Sequence, residues 1–109
     1  MRIETTHWFD KQLKSLAKKH KSIATDYKNL LESLTENPIQ GILLRPNTYK
    51  IRMSITSKGK GKSGGSRVIT YVHDEKDTLY LLDIYDKSER SNISDSDLTD
   101  FIDLVTEGS

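Results

Sequence analysis

Tyr49-Lys50-Ile51-Arg52-Met53-Ser54-Ile55 reads as a β-strand with two unlike faces. Successive side chains alternate across a strand, so Tyr49, Ile51, Met53 and Ile55 point one way while Lys50, Arg52 and Ser54 point the other. The apolar face needs a cover, and the cover lies upstream. Ile23, Ala24, Tyr27, Leu30, Leu31 and Leu34 recur at the spacing of one face of a helix, which excludes a strand there. Asn37-Pro38 stops that helix. Ahead of it, Phe9, Leu13, Leu16, Ala17 and His20 form a weaker stripe facing away from Lys11, Lys14, Lys18, Lys19 and Lys21. Residues Lys19 to Ser22 are the break between two antiparallel partners, and the pair is a helical hairpin.

Downstream, Arg67 to His73 and Thr78 to Tyr85 are rich in Val, Ile, Leu and Tyr and are joined by the polar turn Asp74-Glu75-Lys76-Asp77, so they predict a β-hairpin. A third helix opens at Ser94, with Asp97 three residues on as in a capping box, and its stripe is Leu98, Phe101, Ile102 and Val105. With Arg2 to Thr6 as a first strand, the order is strand, helix, helix, three strands, helix. Short connections favour antiparallel pairing. The expected fold class is α+β: a small, mainly antiparallel sheet with the N-terminal helical hairpin on one face and a short C-terminal helix. At 109 residues with 34% hydrophobic content, the chain predicts one domain spanning 1–109.

The charge is sorted along the chain. The 37 residues from Asn37 to His73 hold seven basic side chains and no acidic one, although the net charge is only +1. Residues 1–36 contribute +2 and residues 74–109 contribute −8, so the three local balances of +2, +7 and −8 add to that total. A locally positive field most often meets phosphate. No cysteine is present, which removes disulfides, thiolate metal sites and redox roles together. No apolar run approaches the roughly 20 residues that cross a bilayer, and Met1-Arg2-Ile3-Glu4-Thr5 has no signal-peptide core, so a soluble cytoplasmic chain without a membrane partner is expected.

Gly61-Lys62-Ser63 copies the end of a phosphate-binding P-loop, but Thr56 stands where the pattern needs its first glycine. The β-branched Val68-Ile69-Thr70 then follows instead of a helix, so nucleotide hydrolysis is excluded. A glycine-rich, lysine-studded connection remains. Its Lys58, Lys60 and Lys62 have no acidic neighbours in sequence and are candidates for holding an RNA backbone. His7, His20 and His73 are scattered without metal-ligand spacing, so neither a metal site nor an imidazole base and acid pair is expected.

Tyr49-Lys50-Ile51-Arg52, the turn Lys60-Gly61-Lys62-Ser63-Gly64-Gly65 running into Arg67-Val68-Ile69, and Leu79 to Tyr85 followed by Asp86-Lys87-Ser88-Glu89-Arg90 together resemble the RelE/ParE superfamily of bacterial toxins, with the HigB branch nearest. The resemblance runs along the whole order of strands and helices. It implies a toxin that enters the ribosomal A site, cleaves the mRNA there without a cofactor, and is neutralised by a cognate antitoxin. Carried onto this chain, the family's basic positions fall on Lys50, Arg52, Arg67 and Lys87. A guanidinium stays charged, so Arg67 suits transition-state stabilisation, while Lys50 or Lys87 is the candidate base. RelE-type members carry an arginine directly after that last-strand lysine and a tyrosine a few residues on. This chain reads Ser88-Glu89-Arg90-Ser91-Asn92-Ile93-Ser94 there, and Tyr71 or Tyr85 is the candidate substitute for stacking and acid assistance. Two alternatives carry no catalysis: a ParE-like inhibitor of DNA gyrase acting through its helical hairpin, and a small RNA-binding module. Aligned basic residues on central strands favour the ribonuclease.

Overall fold

The computed structural model describes residues 1–58 and 65–107. The chain runs β1 (Arg2–Thr5), α1 (His7–Lys19), α2 (Ile23–Glu36), β2 (Ile42–Arg45), β3 (Thr48–Met53), β4 (Ser66–His73), β5 (Thr78–Asp86) and α3 (Asp95–Glu107). The strands form one sheet in the order β1-β5-β4-β3-β2. Every neighbouring pair is antiparallel except β1 with β5, which is parallel because α1 and α2 intervene between the two ends of the chain.

Helices α1 and α3 are each capped at the start by a hydroxyl. The Thr6 hydroxyl accepts from Phe9 N at 3.0 Å, capping α1. The Ser94 hydroxyl accepts from Asp97 N at 3.1 Å and opens α3. The hairpin lays Phe9, Leu16, Ile23, Leu30 and Leu34 on Ile51, Met53, Val68, Val72, Leu79, Leu81 and Ile84 of the sheet, all buried. On the opposite face, α3 sets Leu98 and Val105 against Ile69, Leu82 and Tyr85. The apolar face of Tyr49–Ile55 is therefore covered by the hairpin, with Ile55 still buried although β3 ends at Met53.

Two features depart from the sequence reading. The strand β2 was not expected, because Ile42-Leu43-Leu44 does not alternate and sits between Gly41 and Pro46. Gly41 has φ +94°, and a Cβ there would collide with the Lys50 carbonyl oxygen, so only glycine lets this edge strand approach β3. The two-residue turn Pro46-Asn47 then closes the hairpin, with Asn47 left-handed at φ +63° and its carbonyl accepting from Val72 N at 2.8 Å. The second feature is a bulge in β5: Ile69 pairs with Asp83 but Thr70 pairs with Leu81. Strict alternation would have put Leu79, Leu81, Asp83 and Tyr85 on one face. The extra residue instead moves Asp83 and Tyr85 onto the α3 side, while Ile84 joins the hairpin side.

Candidate active site

Three strands meet in register where β4 begins. Arg52 lies directly opposite Arg67, and Arg67 directly opposite Tyr85. In the next row Lys50 faces Ile69, and Ile69 faces Asp83. Residues paired across a ladder share a sheet face, so all four polar members, Lys50, Arg52, Arg67 and Asp83, stand with Tyr85 on the α3 side. Directly opposed side chains begin about 4.5–5.5 Å apart, and like charges in that relation repel, so the Arg52–Arg67 pair favours an anion laid across it. Arg52 is exposed and Arg67 half-buried, with Arg67 Nη1 donating to the Ser66 carbonyl at 3.2 Å. Lys50 Nζ is 3.5 Å from Asn92 Oδ1.

Tyr85 completes the first row. Its ring is buried and the Arg90 guanidinium lies 4.3 Å from the ring centroid, a cation–π contact. The phenol oxygen is buried and has no hydrogen-bond partner among the described residues. Burial pushes its pKa up, Arg90 and Arg67 pull against that shift, and the net displacement is upward, so the phenol keeps its proton at neutral pH. Arg90 is held by Asp83, which is wholly buried: Arg90 Nη2 donates to Asp83 Oδ2 at 2.9 Å and the Trp8 indole N–H to Asp83 Oδ1 at 2.8 Å. Burial raises the Asp83 carboxyl above the usual range despite these donors. A cleft of about 330 Å³ opens beside this cluster, lined by Trp8, Gln12, Lys19, Tyr85, Glu89 and Arg90 among others.

Lys87 follows the end of β5. Its side chain is exposed, and its backbone N–H donates to the Gly65 carbonyl at 3.0 Å, which extends the β4–β5 ladder by one step beyond the Ser66–Asp86 pair. Lys58 has a partner that lies far from it in sequence. It has no acidic neighbour in sequence, but in space its Nζ lies 3.2 and 3.4 Å from the two carboxylate oxygens of buried Asp86. Lys60 and Lys62 lie outside the described residues. Tyr71 is four residues along β4 from Arg67, about 13 Å at the usual rise. It packs in the α3 cluster and meets the His73 ring edge-on at 6.1 Å. Of the two candidate tyrosines the structure thus brings Tyr85, and not Tyr71, beside Arg67.

Sequence reasoning missed Asp83, Asp86, Arg90 and Trp8. The signal lay in Leu81-Leu82-Asp83-Ile84-Tyr85-Asp86, where two carboxylates interrupt a strand otherwise fit for the core and so require partners. Among the described residues, no group of three or more His, Cys, Asp or Glu side chains is placed to hold a metal ion. No described helix is long and apolar enough to cross a membrane.

Similar proteins share this arrangement of strands and helices. The isolated E. coli RelE toxin superposes with a TM-score of 0.60 at 17% identity, covering 95% of this chain and 97% of that one. A double arginine mutant of E. coli RelE in the free state gives 0.56 at 19% identity over 83% and 86% of the two chains. The intact E. coli RelBE toxin–antitoxin complex gives 0.57 at 19% identity over 76% and 92%. At such identities these likenesses speak for the fold alone. The sequence itself matches, over residues 1–107, the family described as the RelE toxin of the RelE/RelB toxin–antitoxin system, a match at the level of the family and not of a branch within it. This chain belongs to the RelE toxin family.

Proposed function

We propose that this RelE-family chain, the toxin of a type II toxin–antitoxin module and a ribosome-dependent mRNA endoribonuclease, cuts RNA without a metal, by attack of a ribose 2′-hydroxyl on the adjacent phosphate. The bond from the 2′-oxygen to phosphorus forms as the bond from phosphorus to the 5′-oxygen breaks. A 2′,3′-cyclic phosphate and a free 5′-hydroxyl result, and no water is consumed. The step needs a base for the 2′-proton, cations for the charge on the phosphoryl oxygens, and an acid for the leaving 5′-oxygen.

The observation that carries this chemistry is the Arg52–Arg67–Tyr85 row. Two guanidiniums that stay charged at any working pH can share the pentacovalent oxygens, and a phenol that keeps its proton stands next to them. Lys50 or Lys87 takes the 2′-proton and the other of the two gives one to the leaving 5′-oxygen, since the phenol oxygen of Tyr85 is buried and its ring serves to back the row. RNA is held by the remaining positive charge of the middle segment, in which Lys60 and Lys62 are the candidates with no ion pair of their own in sequence. The whole chain, 1–109, acts as one toxin domain in the cytoplasm, where mRNA and ribosomes are found. Its partner is an antitoxin that offers carboxylates to the cationic face with nanomolar or tighter affinity, about −12.3 kcal/mol or better.

Primer extension on mRNA in a purified translation system, with and without ribosomes, tests the reading. Stops within the A-site codon are expected only when ribosomes are present, and a single 2′-deoxynucleotide at the cut should abolish them. Cleavage that survives the 2′-deoxy substitution overturns the hydroxyl-attack chemistry. No cleavage under either condition overturns the ribonuclease reading for this chain.

A further inference from the structure

Asp86 is nearly sealed from solvent, yet its carboxylate meets partners from three separate segments. Lys58 Nζ approaches both oxygens at 3.2 and 3.4 Å. Ser88 donates twice to Oδ1, from its backbone N–H at 2.9 Å and its hydroxyl at 2.8 Å. His20 Nε2, at the end of α1, lies 3.3 Å from Oδ2. The Asp86 carbonyl also accepts from Glu89 N at 3.0 Å and Arg90 N at 3.1 Å, which winds the chain into a tight turn directly after β5. Burying a carboxylate is costly unless donors surround it, and this one has them.

The geometry matters because of what stands on either side. Lys58 and Gly65 flank residues 59–64 of the glycine-rich segment. Lys58 is fixed to the Asp86 side chain, and Gly65 is fixed by its carbonyl to the N–H of Lys87, the next residue. Both ends of that segment are therefore tied to two consecutive residues of the chain, and the Asp86 carboxylate pins Ser88, the residue that follows Lys87. With neighbours on both sides restrained, the backbone from which the Lys87 side chain springs has little freedom left.

We infer that Asp86 is a positioning residue of the cleavage site: through Ser88 and Lys58 it holds the turn that follows β5, and with it the Lys87 backbone, in the arrangement that RNA meets, acting on the reaction through Lys87. The inference rests on the proposed function, and it adds a residue to which the motif comparison assigned no role. Arg67 at the start of β4 is placed by the sheet itself, whereas Lys87 lies just past the last strand and needs this carboxylate.

A double-mutant cycle tests it, using Asp86→Asn, which keeps the shape but removes the charge that holds Lys58 and weakens the two Ser88 bonds, now made to an amide in place of a carboxylate. Single-turnover cleavage on ribosomes should fall about tenfold in Asp86→Asn, and by less than about twofold when the same change is made on a Lys87→Ala background, because groups that act as a unit are strongly non-additive. Lys58→Gln, which removes the half-exposed partner and leaves the core untouched, should show the same loss and the same masking by Lys87→Ala. Hydrogen exchange at the Lys87 amide should quicken in both variants while thermal unfolding stays cooperative. An Asp86→Asn or Lys58→Gln loss that persists in full on the Lys87→Ala background overturns the inference and leaves the carboxylate a purely structural ion pair. A wild-type chain that cleaves nothing is a different result, since it removes the ribonuclease reading itself.

Discussion

The two faces of the sheet are built from the same alternating strands, but they are finished differently. The hairpin face is covered by Phe9, Leu16, Ile23, Leu30 and Leu34 along nearly its whole length. The α3 face is covered by one helix, and the Arg52–Arg67 end of the cover is left to cations and a buried phenol. Each side also seals one aspartate of β5, with opposite consequences. Asp83, on the α3 face, is pushed to a higher pKa because burial outweighs its donors. Asp86, on the hairpin side, would be raised by burial, but the two Ser88 bonds and Lys58 outweigh it and the net shift is downward. Depth alone does not set a carboxyl's state; the number and charge of its donors against that depth do. One face is therefore closed by apolar side chains along its length, and the other, beyond its own smaller core, leaves a row of charged groups at one end.

The sharpest way to break that division is to cut into the hairpin face. Phe9 is completely buried and its ring centroid lies 5.7 Å from that of Tyr27. Phe9→Ala should cost about 3–5 kcal/mol of stability, read by urea unfolding, with the loss of cleavage at 37 °C following the unfolded fraction. A variant that stays fully folded but loses activity would place chemistry on the wrong face.

The converse cut is on the α3 face. Arg67→Ala and Lys87→Ala should each lower ribosome-dependent cleavage by about 10²-fold or more, since removing one preorganised charge-stabilising donor costs roughly 2.7–4 kcal/mol in other enzymes. Urea midpoints should move little, because Lys87 is exposed and Arg67 half-buried. Wild-type cleavage by the double variant would remove both residues from the site.

How far the two faces were legible follows from what each asks of the sequence. The hairpin face asks only for apolar periodicity, and Ile23 to Leu34 and Tyr49 to Ile55 state it openly. The third helix was legible from Ser94, Asp97 and the Leu98 stripe in the same way. The α3 face depends on register, which periodicity does not encode. A bulge of one residue put Asp83 and Tyr85 beside Arg67, and no local residue type announces it. The β2 edge escaped because its apolar residues face both ways at a sheet margin, with Ile42 and Leu43 exposed. The Lys58–Asp86 pair joins residues 28 apart, a distance over which charge patterning along the chain says nothing.

The two aspartates allow a finer test through pH. The signs differ: a carboxyl whose folded pKa is lowered stabilises the fold above the unfolded value of 3.8 and loses that contribution as pH falls through the folded pKa. One whose folded pKa is raised loses stability as pH climbs from 3.8 through the folded value. Asp86→Asn should therefore be less stable than wild type at pH 7, with the gap closing as pH drops below 3.8. For Asp83→Asn the change with pH should run the other way, wild type gaining on the variant as pH falls. Unfolding free energies measured from pH 7 to pH 3 check both, and parallel curves would show that the two sites do not differ.

The smallest expected effect separates the lysines of the glycine-rich segment. Lys58 belongs to the Asp86 side of the molecule, since its ammonium is held at 3.2 Å by a buried carboxylate. It should therefore release few counterions when RNA binds. Lys60 and Lys62 have no acidic residue between Asn37 and His73 to neutralise them in sequence. Each phosphate contact on a single strand contributes roughly 0.7 to the slope of log affinity against log salt. Changing Lys60 and Lys62 together to Gln should flatten the slope for binding to mRNA-programmed ribosomes by about 1.4, whereas Lys58→Gln should leave it near the wild-type value. Lys58→Gln still affects cleavage through Lys87, so binding and single-turnover rate must be measured on the same preparation. Equal flattening by Lys58→Gln and by either of the other two single changes would mean that Asp86 gives up its partner when RNA arrives, and the boundary between the two sides would then shift on binding.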